Sequence, residues 1–250
     1  MEWLRLAGLV LLGWGLGSLV NYLGDVLPAT RRLSPPVCFS CGRHFPLLDY
    51  IFIQSCRGCN SKRNIRAWVV QFVSIIAVTW LGTTQTSRMG FWPSLAVLVY
   101  FGVVGLIDLE HRLIMHPVSL AGVILGGVMG FWLHGLKATL AGGAAGFAIM
   151  LGLYYLGYLF AKWLSKMRKE TTDEEALGFG DVALSGVLGL LLGWPGILGG
   201  LVLAILLGGA GSLIVLIYSL AARKYRTFMA IPYGPFLLAA AAILLFRTAG

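Results

Sequence analysis

The stretch GFGDVALSGVLGLLLGWPGIL, residues 178–198, decides the class of this protein, because one carboxylate precedes a long apolar run. A helix that crosses a membrane needs about 20 consecutive, mostly apolar residues. Besides 182–198, the chain has seven further apolar blocks, which cover 6–24, 67–83, 91–107, 113–133, 138–161, 199–221 and 232–246. We therefore expect an all-α, polytopic transmembrane bundle of about eight spans, with the sixth and seventh divided near Trp194-Pro195-Gly196.

The composition excludes an ordinary soluble domain. Hydrophobic residues make up 58% of the 250 residues and charged residues only 12%, whereas soluble proteins carry about 25% charged residues. The first block lacks a basic start and a clean small-x-small cleavage site, so we expect a retained span and not a removed signal peptide. Among the 34 glycines, the pairs Gly142/Gly146 and Gly189/Gly193 have the spacing that lets two helix backbones approach, although glycine richness is also general in membrane helices.

Basic residues predict the orientation of these spans. With the amino terminus outside, four of the 19 Lys and Arg residues face outward (Arg5, Arg88, Lys137 and Arg247), and the other fifteen lie in inward-facing connections. Positive residues are retained on the cytoplasmic side during insertion. The net charge of +9 is therefore a topology signal that also favours anionic lipid, and it requires no nucleic acid partner.

The four cysteines form two pairs, Cys38-x-x-Cys41 and Cys56-x-x-Cys59, in the first inward connection. Four thiolates in two tight pairs can surround Zn²⁺ as a tetrahedron, which leaves no open position and indicates a structural site. Two alternatives remain at this point: structural thiols without metal, or two local disulfides if the topology is inverted. We expect three regions, namely a first span at 1–27, a cytoplasmic zinc-knuckle domain at 28–66, and a membrane-embedded core at 67–250.

Two aspartates border apolar blocks at the same predicted depth. Asp108 follows the third block, which runs inward, and Asp181 opens the sixth block, which runs outward. A carboxylate within a span is costly and indicates a functional site by default. The simpler alternatives are that Asp108 only ends a span and that Asp181 is an N-cap.

Facing carboxylates across a wet cleft share one proton, because both cannot ionise cheaply. Such a pair can activate a water and protonate a leaving amine, so Asp108 and Asp181 are the predicted catalytic residues of a protease. Gly178 and Gly180 would allow an extended substrate to approach Asp181. Pro232 and Gly234 interrupt the last span and are predicted to line the same cleft, the alternative being an ordinary helix start.

The sequence resembles the prepilin peptidases, or type IV leader peptidases, which are aspartyl proteases with a Gly-x-Gly-Asp motif. The resemblance rests on five motifs in order: Gly17-Ser18-x-x-Asn21; Pro35-Pro36-x-Cys38-x-x-Cys41-Gly42 with Cys56-Arg57-x-Cys59; Ile107-Asp108; Gly178-x-Gly180-Asp181-Val182; and Ile231-Pro232-Tyr233-Gly234-Pro235-Phe236.

This resemblance implies that the chain cleaves short basic leaders from type IV pilin or pseudopilin precursors at the cytoplasmic face of the bacterial inner membrane. Many members also methylate the new amino terminus with S-adenosylmethionine. Three departures put that second activity in doubt: Gln71 stands where a glutamate is usual, Ala183 stands where a lysine is common, and the cysteine loop is shortened.

Two other classes of function remain open from the sequence. A transporter or channel would use the same carboxylates to relay protons or bind cations, and a scaffold organised by the cysteine cluster would need no catalysis. The loop residues Glu170, Asp173, Glu174 and Glu175 are a candidate attractant for a basic leader, or simply a solvated connection. His111 and His116 are interpreted as interfacial residues.

Overall fold

Helices make up most of the part of the protein that the computed structural model describes, which comprises residues 2–38, 40–84, 89–112, 115–168, 178–221 and 232–246. Within these ranges the β pairing is limited to a single bridge between Val37 and His44. The helices are α1 (Glu2–Thr30), α2 (Leu47–Ile51), α3 (Ile65–Thr83), α4 (Phe91–His111), α5 (His116–Arg168), α6 (Phe179–Leu192), α7 (Gly196–Ala221) and α8 (Gly234–Phe246). The predicted all-α class is confirmed.

Length and apolar composition suit five of these helices for crossing a membrane: α1, α3, α4, the part of α5 from His116 to Phe160, and α7. Helix α5 is interrupted at Gly135, where φ is 77° and ψ is 166°, so its two arms correspond to the predicted blocks 113–133 and 138–161. The protein is therefore a multi-pass membrane protein.

The two remaining apolar helices are short. Helices α6 and α8 have 14 and 13 residues, which is about 20 Å of helix against a hydrocarbon core of about 30 Å. The predicted end of the sixth block at 198 is wrong, because α6 already ends at Leu192. Gly193 has a positive φ of 65° and Pro195 has no N–H to donate, so the helix cannot continue through this segment.

The chain divides into two compact units, Met1–Ile107 and Asp108–Arg247. In the first unit, α1 and α3 pack antiparallel: Arg5 donates to the Gly82 carbonyl at one end (2.6 Å), and Arg66 pairs with Asp25 at the other. Between these ends, the fully buried Gln71 donates to the Trp14 carbonyl. The side chain that departs from the usual glutamate thus links two helices. The three-region division at 27/28 and 66/67 stays a prediction.

In the second unit, glycines bring α5 and α6 into backbone contact. A Cβ added at Gly142 would lie 2.6 Å from the carbonyl carbon of Gly193, and one at Gly189 would lie 3.0 Å from the Cα of Gly143. The two predicted glycine pairs therefore face each other, and general glycine richness does not account for them. Since lipid supplies little hydrophobic drive between helices, this close packing is a main source of their association.

We expect Gly142→Ala to destabilise the protein by about 1–3 kcal/mol, because the added methyl group overpacks the α5–α6 contact. Gly152→Ala in the same helix is the matched control, since no atom lies within 4 Å of its Cβ position. Thermal unfolding in detergent, followed by circular dichroism, measures the difference. Equal unfolding temperatures for the two variants would contradict the packing argument.

Candidate active site and cysteine cluster

Asp108 is buried near the carboxyl end of α4. Its carboxylate accepts a hydrogen bond from the backbone N–H of Gly234 and lies within electrostatic range of Arg112. Within the described residues, its Oδ2 atom has no hydrogen-bond partner. An uncompensated acceptor at a buried site is costly, which favours a functional role for Asp108.

Asp181 is buried in the first turn of α6. Gly178 is the N-cap residue of this helix, and its backbone N–H donates to the Asp181 carboxylate. The simple N-cap interpretation of Asp181 is therefore wrong, because Asp181 is the third helical residue and its side chain reaches back to the cap, as in a capping box.

The two carboxylates come together within the second unit, since the charge of Asp108 acts on Asp181. They are supplied by the end of one helix and the start of another, 73 residues apart in the chain (181 minus 108). Two buried carboxylates in this arrangement cannot both ionise without repulsion, so the pair is suited to hold one proton between them.

Gly234, the first residue of α8, lies against Asp108. Gly234 is buried, and a Cβ added to it would lie 2.9 Å from the Asp108 Cγ atom. Glycine is therefore required at 234 by the close approach of the carboxylate. At Gly178 the nearest atoms to such a Cβ are 4.0 Å away, so the protein itself leaves room there.

Sequence reasoning did not single out Tyr233. Its phenol is within electrostatic range of Asp181, and its ring packs on Gly208 of α7, 3.2 Å from the position of an added Cβ. Its carbonyl accepts from the N–H of Phe236 (3.0 Å) at the start of α8. The available signal was its place between Pro232 and Gly234, which were both predicted to line the cleft.

Two other predicted features concern connections near this site. His111 and His116 are both exposed, in agreement with an interfacial position. The four acidic loop residues, Glu170, Asp173, Glu174 and Glu175, lie outside the described residues.

The four cysteines in the first unit are free thiols whose Sγ atoms all lie within 4.8 Å of one another. Cys38 and Cys59 are 3.7 Å apart, as are Cys41 and Cys56. A tetrahedral metal with bonds of about 2.3 Å to sulfur has edges of about 3.8 Å, whereas a disulfide requires about 2.05 Å. The disulfide alternative is therefore excluded, and the cluster has the dimensions of a metal site.

Two matching turns hold these thiols. The N–H of Cys38 donates to the Arg43 carbonyl (2.8 Å), and the N–H of Cys56 donates to the Ser61 carbonyl (3.0 Å). In each turn, the residue four positions after the first cysteine, Gly42 or Asn60, has a positive φ. The N–H groups of Ser40 and Cys41 lower the pKa of Cys38 to about 6, which favours the thiolate that a metal binds.

A cavity of about 240 Å³ lies beside this cluster. The Asp25 carboxylate at its wall accepts from Tyr50 (2.5 Å), Arg63 (3.1 Å) and Arg66, and the Arg63 guanidinium lies 4.1 Å from the centre of the Tyr50 ring. The remaining lining residues are Cys38, Ser40, Phe45, Ser61, Lys62, Asn64 and Ala67. This network connects α1 to the cysteine segment.

Comparison with known proteins agrees with the motifs. Residues 95–213 match the type IV leader peptidase family. The predicted resemblance is thereby confirmed, and the matched region contains both Asp108 and Asp181. No solved structure matches the chain significantly.

Several curated proteins named prepilin leader peptidase/N-methyltransferase are similar to this chain. The Aeromonas salmonicida protein is 27% identical over 209 residues, which cover 81% of this chain and 65% of that relative. The Myxococcus xanthus protein is 25% identical (84% and 62% covered), and the Burkholderia pseudomallei protein is 27% identical (89% and 71% covered). The chain thus spans about 65% of the length of the Aeromonas relative. None of these similarities supports the transporter alternative.

The cysteine geometry predicts one metal ion per chain. We expect Cys38→Ser and Cys56→Ser each to lose most of the bound metal, because a hydroxyl is a poor replacement for a thiolate. Metal content of the purified protein, measured by inductively coupled plasma mass spectrometry, tests this, with Ser40→Ala in the same turn as control. Full metal content in both cysteine variants would exclude the site.

Proposed function

We propose that this chain is a prepilin peptidase, an intramembrane aspartyl protease that removes the leader from type IV pilin or pseudopilin precursors. The observation that carries the proposal is the meeting of two buried aspartates, Asp108 and Asp181, inside the region similar to type IV leader peptidases. The names of the relatives supply the class of substrate.

In the proposed mechanism, the dyad shares one proton. The ionised carboxylate removes a proton from water, and the water oxygen attacks the scissile carbonyl carbon. The protonated carboxyl donates a hydrogen bond to the developing oxyanion and then gives its proton to the leaving amine, so that the C–N bond breaks and one proton remains on the pair. The two groups titrate as a unit, so base and acid roles belong to the pair.

The segments next to the dyad are the proposed substrate-binding surface. Gly178 and Gly180 flank the exposed Phe179 at the start of α6, and Pro232 and Gly234 lie at the start of α8. An extended substrate backbone laid along these residues would place its scissile bond at the carboxylates. A basic leader would also be attracted by the acidic loop that includes Glu170 and Asp173.

The proposed location is the bacterial inner membrane, with the dyad on the cytoplasmic side. The support is the excess of basic residues in the connections assigned to that side. In the proposed organisation, the first span at 1–27 is followed by a cytoplasmic domain at 28–66 and by the protease core at 67–250.

The proposed metal is zinc, held by Cys38, Cys41, Cys56 and Cys59. A complete thiolate shell leaves no open position for a substrate or water, so the ion would serve folding and not the reaction. Its contribution is to close the cysteine segment, which has only one short helix of its own (α2), into a compact unit.

The names of the relatives also support a second activity, N-methylation of the new amino terminus. S-adenosylmethionine would supply the methyl group, and the cavity beside the cysteine cluster offers the aromatic Phe45 and charged groups that suit such a donor. Gln71 does not line this cavity, because its side chain is buried between α1 and α3.

Incubating the cleaved precursor with S-adenosylmethionine and the protein tests this second activity. We expect the mature pilin to gain the mass of one methyl group in mass spectrometry. An unchanged mass, with cleavage intact, would exclude methylation while leaving the peptidase proposal in place.

Asp108→Asn and Asp181→Asn should each abolish cleavage of a prepilin by the protein in vesicles, because an amide can neither accept the water proton nor share one. We expect a loss of at least about 10³-fold for each, measured from the appearance of mature pilin on gels. The control is Asp49→Asn, a carboxylate in the cysteine segment. Retained cleavage in either dyad variant would eliminate the mechanism, and a scaffold or transporter would show no cleavage even in the parent protein.

Gly234→Ala should reduce the cleavage rate by roughly 10²-fold. The added methyl group would displace the Asp108 carboxylate, and a misplacement of about 1 Å costs a rate loss of this order. Gly209→Ala in α7 is the matched control, since no atom of the protein lies within 4 Å of its Cβ position. Initial rates at saturating prepilin measure both variants. Similar rates for the two would show that the Gly234 contact does not position Asp108 for the reaction.

A further inference from the structure

The short helix α2 exposes large apolar side chains in a segment that the sequence assigns to the aqueous side. Leu47 is 71% exposed, Leu48 is 68% exposed and Phe52 is 57% exposed. On the opposite side of this turn, Asp49 and Tyr50 are buried. Water is an unfavourable surrounding for three adjacent apolar side chains.

The depth of α2 follows from its contacts with α1. The Ile51 carbonyl accepts from the Trp14 Nε1–H (3.1 Å) and from the Ser18 hydroxyl (3.5 Å). Ser18 precedes Asp25 by seven residues, which is about 10 Å along the helix axis. Since Asp25 pairs with Arg66 near the start of α3, the end of α2 lies well inside the length of the antiparallel α1–α3 pair.

Helix α3 gives the same depth independently. Gln71 donates to the Trp14 carbonyl (2.5 Å) and to the Ser18 hydroxyl (3.4 Å), the residues whose side chains also contact Ile51. Gln71 follows Ile65, the first residue of α3, by six residues, or about 9 Å. Ile51 is therefore level with the second turn of a helix that is suited to cross the membrane.

The turn that ends α2 pairs its N–H groups within the segment, as immersion in lipid favours. The N–H of Phe52 donates to the Leu48 carbonyl (3.0 Å), that of Ile53 to the Tyr50 carbonyl (3.2 Å), and that of Gln54 to the Asp49 carbonyl (2.9 Å). The Ile51 carbonyl is satisfied by α1, as described above. The buried Asp49 carboxylate pairs with Arg57, whose side chain is largely exposed.

Aromatic side chains of the helix pair lie close to the contact between α1 and α2. The rings of Trp14 and Trp68 lie edge to face, and Trp68 stacks on Phe72. Phe72 follows Gln71 directly and is 56% exposed, so a membrane-facing aromatic side chain lies at the depth of Ile51. Arg57, carried by the same segment, has the charge that anionic lipid headgroups attract.

We propose that α2 enters the membrane as a re-entrant turn beside α1 and α3, where Leu47, Leu48 and Phe52 contact lipid acyl chains. The occupant of this surface is lipid. Phe72, which is exposed on a helix suited to cross the membrane, lies at the depth of Ile51. Lipid is therefore the expected neighbour of α2, and a precursor helix or a second copy of the chain is not. The cysteine segment is in this way anchored in the leaflet, independently of any cleavage activity.

Photocrosslinking of the full chain in phospholipid vesicles tests this proposal. Benzoylphenylalanine replaces Leu48 or Phe52, Phe72 is the lipid-facing reference, and Lys62 is the water-facing control in the same segment. We expect lipid adducts by mass spectrometry at Leu48 and Phe52 in yields comparable with Phe72, and only background at Lys62.

Two results would overturn the proposal. One is background labelling at both Leu48 and Phe52 while Phe72 forms lipid adducts. The other is a protein adduct in place of lipid at these positions, either to a second copy of the chain or to an added prepilin. Each variant is first compared with the parent by thermal unfolding, and the two independent positions guard against a local folding defect in one of them.

Discussion

The hydrogen bonds from Gly178 to Asp181 and from Gly234 to Asp108 connect the fold to the proposed chemistry. Each donor is a backbone N–H at the start of an apolar helix, where the first N–H groups have no partner within the helix. The partial positive charge at a helix start also stabilises an anion. These two N–H groups, together with the charge of Arg112 near Asp108, stabilise the buried carboxylate pair.

This arrangement also explains why α6 and α8 are short. Each begins beside the carboxylate that it stabilises, Asp181 for α6 and Asp108 for α8. A helix that starts within the protein is shorter than one that crosses the whole bilayer, and 14 or 13 residues are consistent with this. Irregular backbone before these helices is tolerated at such depth only where it is buried in protein or lines a wet cleft.

The glycines of α5 help to position Asp181 through the contact between α5 and α6. Helix α6 carries Asp181, and its position depends on backbone contact with α5 at Gly142 and Gly189. Larger residues there would move α6 outward and with it one member of the dyad, whereas Asp108 is held from α8 through Gly234. A change in the packing between α5 and α6 would therefore also change the geometry of the dyad.

The sequence predicted the features that have a strong local signal. Asp108 and Asp181 border apolar blocks, where charged residues are rare. The two Cys-x-x-Cys pairs have a spacing that is typical of metal sites. The end of α6 was predicted too late, because apolar residues continue through Gly193 and Pro195 to the next helix. The role of Gly234 was not derivable, since it depends on the approach of the Asp108 side chain to Gly234. Helix α2 is too short to produce any periodic pattern.

The cysteine cluster packs against the first span through Tyr22, so the metal site has a consequence beyond its own turns. Cys38, Phe45, Tyr50 and Cys56 pack as one buried cluster, and Tyr50 donates to Asp25 of α1. The same short segment places the Ile51 carbonyl on Trp14. Closing four thiolates around an ion would therefore hold Tyr50 and with it the end of α2 against Asp25, next to the apolar residues of this segment. A metal without access to substrate can in this way determine how the segment meets the membrane.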